Sequence, residues 1–340
     1  MQERSKYVLD HIRRHRIAFW GVIFIGLLNS VVSFLLPVSI GEFFTLFFKT
    51  GSNKGKLLDW LGIELSTVNQ FFLLFSLLLF LRGILSYTEY YGTFRQGELF
   101  VKYLREDVFS AQIRWSAASM PDQSYGKYLL RYSNDLKSVQ LYLTNGYMEG
   151  IKSSLFLITG LLVMMNIQWQ ITLLLLGMLL LIILLIYLLA KWQTFFIIGS
   201  RSARSSLLAY VARQFARFRK VKERQLEDEV MASFNEKSGR LFQANMKYNV
   251  SESLLLAVVP VLIFGVIGVL LWRMVFLQGS ISASDGVMMV LILLMMEGRI
   301  RRILKVPTYL NKGRISLRKI HKLYDEPIPV AQPEAKVLDR

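Results

Sequence analysis

The chain has 340 residues, of which 53% are hydrophobic and 19% charged, and its formal net charge is +17. It contains no cysteine, which excludes disulfide bonds and thiolate metal sites. The apolar residues are concentrated in long runs, and this distribution excludes a soluble protein with one large core.

Six apolar runs are candidates for membrane-crossing helices. A helix rises about 1.5 Å per residue, so about 20 residues cross a hydrocarbon core about 30 Å thick. The first run is longer than one crossing needs and the third is marginal, so both are expected to tilt or to continue into polar surroundings. The runs cover residues 17–48, 70–91, 151–167, 171–190, 254–277 and 284–304.

The positions of lysine and arginine predict the orientation, because these residues are retained in the cytoplasm when they flank a span. Of the 41 lysines and arginines, 36 fall in both terminal segments and the two long connections, whereas the opposite side carries only Lys49, Lys54 and Lys56. This pattern predicts a multi-pass protein of the plasma (inner) membrane with both termini in the cytoplasm. The positive charge then reflects topology and contact with anionic lipid rather than nucleic-acid binding.

The first 16 residues form a basic amphipathic segment ahead of the first span. No small-residue cleavage site follows that span, so we predict an uncleaved anchor rather than a signal peptide. His11 and His15 lie one helical turn apart, as metal ligands can. Because no third ligand lies nearby in the sequence, we expect a solvated face at the membrane interface and no metal site.

Residues 92–150, the first long connection, are predicted to form a helical hairpin. Phe100, Leu104 and Val108 recur at helical spacing, and Pro121 interrupts the pattern between two helices. The break at 115–124 would then lie at the end of the hairpin farthest from the membrane.

Residues 191–253, the second long connection, repeat this design. Its apolar stripe includes Leu207, Val211, Phe215 and Phe218, and a dense basic run occupies 213–224. Each hairpin would reach about 30–40 Å into the cytoplasm. Packing within the hairpins is sufficient to account for the stripes, so only the two tips need a functional interpretation.

Ionisable residues inside spans are costly and are therefore candidates for function. Glu42, Arg82, Glu89 and Glu297 fall in the predicted spans. Either they are salt-bridged residues within the bundle, or they line a translocation cavity and set the charge preference for substrate. The sequence contains no Ser/His/Asp set, paired carboxylates or metal cluster, so we predict no catalytic residue and no bound cofactor.

Three stretches, together with the topology, resemble the transmembrane domain of ABC exporters, a six-helix all-α family with long intracellular loops. The resemblance covers roughly residues 15–328, and no single motif carries it alone. The matching stretches are MPDQSYGKYLLRYSNDLKSVQLYL at Met120–Leu143, the second-loop pattern of Val221, Lys222, Glu227 and Phe234, and SLRKIHKLYDEP at Ser316–Pro327.

The resemblance implies two such domains in a homo- or heterodimer, with coupling helices at the loop tips docked into nucleotide-binding domains. ATP with Mg would act through that partner and drive alternation between inward-open and outward-open states. Residues 17–328 would form the transmembrane domain, and the tail 329–340 would lie where a nucleotide-binding domain normally begins. The coupling residues would be Ser119, Asp122, Tyr125 and Gly126 at the first tip, and Arg213, Phe215, Arg217, Phe218, Arg219 and Lys222 at the second.

Two features depart from the family pattern. No GxxxxGK[ST] phosphate loop occurs in the sequence, and Gly51–Lys56 has the wrong spacing for one. Arg213 lies where family members usually carry a glutamate, so a partner's docking surface should be acidic. We therefore expect a permease subunit that is not an enzyme by itself and works with a separate ATPase subunit.

Three alternatives stay open at this point. The chain could be a non-transporting membrane scaffold or regulator derived from this fold, or a truncated piece of a full half-transporter. An unrelated six-span channel fits the spans but leaves the helical patterns of the long connections unexplained.

Overall fold

The computed structural model describes residues 3–48, 67–114, 132, 135–276 and 282–321. Within these ranges the elements are all helices and no strand is formed. The helices are α1 (Glu3–Arg14), α2 (Arg16–Phe48), α3 (Val68–Ile113), α4 (Leu136–Leu141), a π-helix (Tyr142–Met148), α5 (Glu149–Ile167), α6 (Trp169–Ala216), α7 (Phe218–Glu223), α8 (Glu227–Phe276) and α9 (Ala283–His321).

Four described segments are long and apolar enough to cross a membrane: Arg16–Thr45, Val68–Ile113, Leu136–Ile167 and Glu227–Phe276. The predicted all-α membrane fold is therefore confirmed, whereas the number of six crossings stays a prediction. The chain divides into two compact units, Met1–Val163 with Gly298–Arg340 and Met164–Glu297.

The core of the first unit is formed where the C-terminal part of α3 meets α4 and the end of α9. Phe100, Leu104 and Val108, which share one face of α3, are buried in one cluster with Leu143 and Leu317. The same cluster includes Val8, so α1 packs onto this group of helices. Burial of these apolar side chains is the main stabilising contribution to the packing of these helices.

A close backbone approach joins α9 to the π-helix in this unit. A Cβ atom added at Gly313 would overlap the side chain of Tyr142, and the nearest atom would be the Cβ atom of that tyrosine. A Cβ atom at Gly146 would meet Leu310 at 2.7 Å. Glycine at these positions therefore lets the two helices lie closer than larger residues would allow.

The second unit is built around two long antiparallel helices, α6 and α8. The Ser200 hydroxyl donates to the side-chain oxygen of Asn245 at 2.5 Å, and the Tyr210 hydroxyl donates to the Val230 carbonyl at 3.0 Å. The two pairs lie at different distances from the connecting turn, so the helices contact one another along much of their polar lengths. Farther along the chain, α8 and α9 contribute buried residues, including Ile263, Leu270 and Met289.

Candidate functional site: the second hairpin tip and a buried charge cluster

The tip between α6 and α8 is a short helix held between two bends. Helix α6 ends at Ala216, α7 covers Phe218–Glu223, and α8 begins at Glu227. Gln225 closes the second bend with a φ of 51°, in the left-handed region that non-glycine residues rarely adopt. Three acidic residues occupy the first turn of α8, where they complement the positive end of the helix dipole.

The structure brings together all six coupling residues predicted for this tip. Arg213, Arg217, Arg219 and Lys222 are exposed. The side chains of Phe215 and Phe218 are 71% and 55% exposed. Packing within the hairpin does not cover these two aromatic residues, which the sequence analysis assigned to the tip.

Two adjoining cavities lie at this tip. One, of about 360 Å³, is lined almost throughout by apolar atoms, including those of Phe215, Phe218 and Met231. The other, of about 480 Å³, is lined by Arg217, Lys220, Arg224 and Glu229 among others. The two cavities share Tyr210, Gln214, Val221 and Val230 as lining residues.

The basic residues of the tip are only partly neutralised. Arg219 pairs with Glu223 at 2.8 Å, and Lys222 pairs with Glu227 at 2.9 Å. Exposed pairs of this kind contribute only about 0–1 kcal/mol. Within the part of the chain that the structure describes, no salt bridge is formed by four further basic residues of the tip, which are Arg213, Arg217, Lys220 and Arg224.

The residues predicted for the first tip, Ser119, Asp122, Tyr125 and Gly126, lie outside the described residues. The helices on either side of that segment are described, and they pack through the apolar stripe of α3 and the stripe of α4.

A buried charge cluster lies in the first unit and is centred on Lys152. Its ammonium group lies 3.0 Å from Glu89 Oε1, and both side chains are only 2% exposed. The same ammonium donates to the Thr93 hydroxyl at 3.0 Å, and the Asn29 amide donates to the second Glu89 oxygen at 2.7 Å. Helices α2, α3 and α5 are thus joined by one polar network.

Glu149 extends this network to α9. Its Oε1 lies 3.4 Å from Arg299 Nη1 and 3.0 Å from Arg302 Nε, and its Oε2 lies 3.7 Å from Lys152 Nζ. The Arg299 guanidinium also lies 4.7 Å from the ring centroid of Phe156, within cation–π range.

Sequence reasoning singled out Glu89 but missed its partners. Lys152, Arg299 and Arg302 lie at the ends of predicted spans and were counted as orientation signals, and Glu149 was not considered. The sequence did contain one indication of the cluster. Lys152 lies in the first turn of an apolar helix, and a lysine in that position needs a counter-ion when the helix is buried. Both Glu89 oxygens are occupied within the first unit, which favours the salt-bridged alternative for this residue.

The structure does not place the other three cavity candidates in this cluster. Glu42, Arg82 and Glu297 are each half-buried, and each lies on a different helix from the other two. Their proposed contribution to a substrate cavity stays a prediction.

His11 is buried, so the predicted solvated interfacial face is wrong for this residue. Its side chain is 6% exposed, its Nε2 lies 3.2 Å from the Gln96 side-chain oxygen, and its ring packs on Phe100. The apolar face of α1 turns this histidine onto α3, which the spacing of His11 and His15 alone did not indicate. In the described ranges no group of three or more His, Cys, Asp or Glu residues is arranged to hold a metal ion.

Burial lowers the pKa of His11 from 6.5 to about 4, the hydrogen bond that the ring donates to the Gln96 side-chain oxygen opposes the shift, and the positive charges of His15 and Arg14 add to it. The folded chain therefore binds this proton more weakly than the unfolded chain. The contribution of neutral His11 to stability is complete above pH 6.5 and is lost as the pH falls towards 4.

The geometry of the helices and the tip agrees with comparisons to known proteins. A family model described as the ABC transporter transmembrane region matches residues 19–298, and the chain belongs to this family. The expected ABC exporter transmembrane-domain fold is thereby confirmed, and the chain is an integral membrane protein.

Among solved structures, the chain is similar to a bacterial Atm1-family ABC exporter with ATP bound, with a TM-score of 0.69 and 15% sequence identity. The alignment covers 95% of this chain and 55% of that chain, so this sequence spans about half the length of the solved exporter. At this identity the likeness shows the fold alone. No curated protein matches the sequence.

Proposed function

We propose that this chain is the membrane-spanning subunit of an ABC-type exporter, driven by ATP hydrolysis on a separate nucleotide-binding subunit. Membership of the ABC transporter transmembrane family supports the class, and these 340 residues contain no phosphate loop, so ATP hydrolysis is assigned to a nucleotide-binding unit outside them. Two such chains, identical or related, would form the translocation path and alternate between inward-open and outward-open states.

The observation that carries this proposal is the second hairpin tip. A short helix at the end of two long antiparallel helices can transmit a displacement to the membrane, because packed helices move as rigid bodies. Phe218, Arg219 and Lys222 lie on that helix and Arg217 immediately precedes it, and their exposure at the end of the hairpin supports the proposed contact with a cytoplasmic subunit. The lysine and arginine distribution supports a cytoplasmic location for the tip.

The test is co-purification with a candidate nucleotide-binding ATPase subunit, followed by measurement of ATPase activity in lipid nanodiscs. We expect the complex to hydrolyse ATP faster than the isolated subunit. The double variant Arg217→Glu/Arg219→Glu should abolish both complex formation and stimulation, because reversed charges repel an acidic docking surface.

A matched control is Arg204→Glu/Lys247→Glu, which makes the same charge change at exposed positions on the same two long helices. This control should leave complex formation and stimulation unchanged. If the tip variant behaves like the control, docking through this tip is refuted. If no ATPase subunit associates with the wild-type chain, the scaffold or regulator interpretation replaces transport.

A further inference from the structure

We propose that a small cavity between α1 and α3 binds a phosphoethanolamine headgroup, with the ammonium among carboxylates inside the cavity and the phosphate on Arg14. The source of this headgroup is a phospholipid of the leaflet that the N-terminal end of α2 enters. The inference goes beyond the proposed function, because it requires only a membrane-embedded chain and holds with or without an ATPase subunit.

The cavity combines aromatic and ionisable side chains in a small volume of about 180 Å³. Its lining includes Asp10, His11 and Arg14 of α1 and Phe100, Tyr103 and Asp107 of α3. Pockets that enclose a drug-sized ligand usually measure about 300–1,000 Å³. This cavity therefore suits one end of a molecule, such as a lipid headgroup, rather than a whole organic ligand.

Three side chains of the cavity offer hydrogen-bond acceptors that the chain itself does not use. Within the described residues, the carboxylates of Asp10 and Asp107 have neither a hydrogen bond nor an ion pair. His11 is only 6% exposed, and its Nε2 donates to the Gln96 side-chain oxygen, so Nδ1 is an acceptor in the neutral ring. In the described part of the chain this Nδ1 has no hydrogen-bond partner. A set of acceptors of this kind calls for a donor-only group, and an ammonium is one.

The charges of the lining favour a zwitterion. Two carboxylates and one guanidinium leave an excess of one negative charge, because burial lowers the pKa of His11 to about 4 and its ring is neutral at pH 7. This local excess contrasts with the net charge of +17 of the whole chain. A ligand with an ammonium for the aspartates and a phosphate for Arg14 forms charge-assisted hydrogen bonds at both ends.

The aromatic walls do not form an open cage for a quaternary ammonium. The ring centroid of His11 lies 5.0 Å from that of Phe100. The ring of His15 stacks on Tyr103 at 5.5 Å, and the Arg14 guanidinium carbon lies 5.7 Å from the same tyrosine centroid. Quaternary ammonium groups are held by free ring faces. Recognition is therefore left to hydrogen bonds, which a primary ammonium donates and a quaternary ammonium does not.

The cavity lies at the depth of lipid headgroups. The apolar run of α2 begins at Ile17, which is 84% exposed, and Trp20 one turn later is 57% exposed. Exposed indole rings are typical of the membrane interface. Arg14 precedes Ile17 by three residues, which is about 5 Å along a helix. The interfacial layer on each side of the hydrocarbon core is about 5–8 Å thick, so Arg14 lies within reach of the phosphates.

The experiment measures lipid binding to the full chain in detergent by native mass spectrometry. The probes are phosphatidylethanolamine and phosphatidylcholine with identical acyl chains, so that they differ only at the ammonium. Wild type should retain phosphatidylethanolamine at a concentration at least about tenfold lower than phosphatidylcholine, because only the primary ammonium donates charge-assisted hydrogen bonds. Asp10→Asn/Asp107→Asn should remove this preference, and both positions are exposed, so the core is not disturbed.

Two further variants separate the ammonium from the phosphate and from a general effect of charge. Glu106→Gln is the matched control for Asp107→Asn, because Glu106 is its neighbour on α3, is 58% exposed and lies outside the cavity. It removes the same charge and should leave the preference unchanged. Arg14→Gln should weaken the binding of both lipids by the same factor, because both carry the phosphate.

Three results would overturn the headgroup site: equal retention of the two lipids by wild type, an unchanged preference in the double variant, or an equal loss of preference in Glu106→Gln and Asp107→Asn. Soluble glycerophosphoethanolamine tests the source of the headgroup. It should compete with the lipid only in large excess, because it lacks the acyl chains. Competition at equal concentration would refute the lipid source and assign the cavity to a soluble compound. All these outcomes are independent of the ATPase measurement that tests the proposed function.

Discussion

Replacing Lys152 by methionine should destabilise the first unit by about 3–5 kcal/mol, the usual cost of removing one partner of a buried ion pair. The Lys152 ammonium lies 3.0 Å from a Glu89 oxygen, and both side chains are 2% exposed. At that distance the attraction is about 5 kcal/mol for an effective dielectric constant of about 20. Desolvation of each ion opposes most of this gain, so the pair adds little net stability while it is intact.

The single substitution is damaging because Glu89 would keep its negative charge with the Asn29 hydrogen bond and the more distant charge of Arg299 as compensation. The measurement is unfolding of the purified chain in mixed micelles with increasing SDS, followed by circular dichroism. The double variant Glu89→Gln/Lys152→Met should recover most of the lost free energy of unfolding, since it leaves no unpaired charge. Arg82→Met is the control, because it removes a half-buried cation from the same unit outside this pair.

Additive losses in the free energy of unfolding would refute this reasoning. If the loss in the double variant equals the sum of the losses in the two single variants, the two groups do not interact. Equal stability of Lys152→Met and Arg82→Met would likewise show that the loss reflects any change of net charge rather than the broken pair.

Three further predictions follow from other contacts. Gly313→Ala should lower the free energy of unfolding by about 1–3 kcal/mol, because the added methyl group would overlap Tyr142. Thermal unfolding measures this loss, and Gly298→Ala is the control, because a methyl group at that position meets no atom. Acidification from pH 6.5 towards 4 should release α1 as His11 becomes protonated, and hydrogen exchange at α1 should lose this pH dependence in His11→Gln. Gln225→Val should lower the stability of the tip by about 1–2 kcal/mol, because a β-branched residue is strained at the left-handed φ of this position, whereas Gln225→Gly should not. Hydrogen exchange at the amides of the tip measures the difference.

Helical periodicity was sufficient to predict much of the packing in the long helical connections. The spacing of Phe100, Leu104 and Val108 identifies one face of α3, and that face is buried in the core of the first unit. Periodicity reports burial only where a helix has a neighbour, however. At the hairpin end, Phe215 continues the stripe although no neighbouring helix covers it.

Pairing between distant positions could not be read in the same way. Glu89 and Lys152 come from different helices, and the sequence gives no register between those helices. Lysine near a span also serves as an orientation signal, which hid the buried role of Lys152. The burial of His11 depends likewise on how α1 packs onto α3. That contact is formed by apolar side chains, and the sequence does not show which of the many apolar faces α1 would contact.

The π-helix at Tyr142–Met148 has a consequence for the charge cluster. Buried positions advance by four from Val139 to Leu143, then by five to Met148, and by four again to Lys152 and Phe156. One additional residue in a helix rotates everything after it by about 100°. The π-helix therefore sets which face of α5 carries Lys152. Deleting one residue from the π-helix would turn Lys152 away from Glu89, although the apolar helix that follows would keep its length.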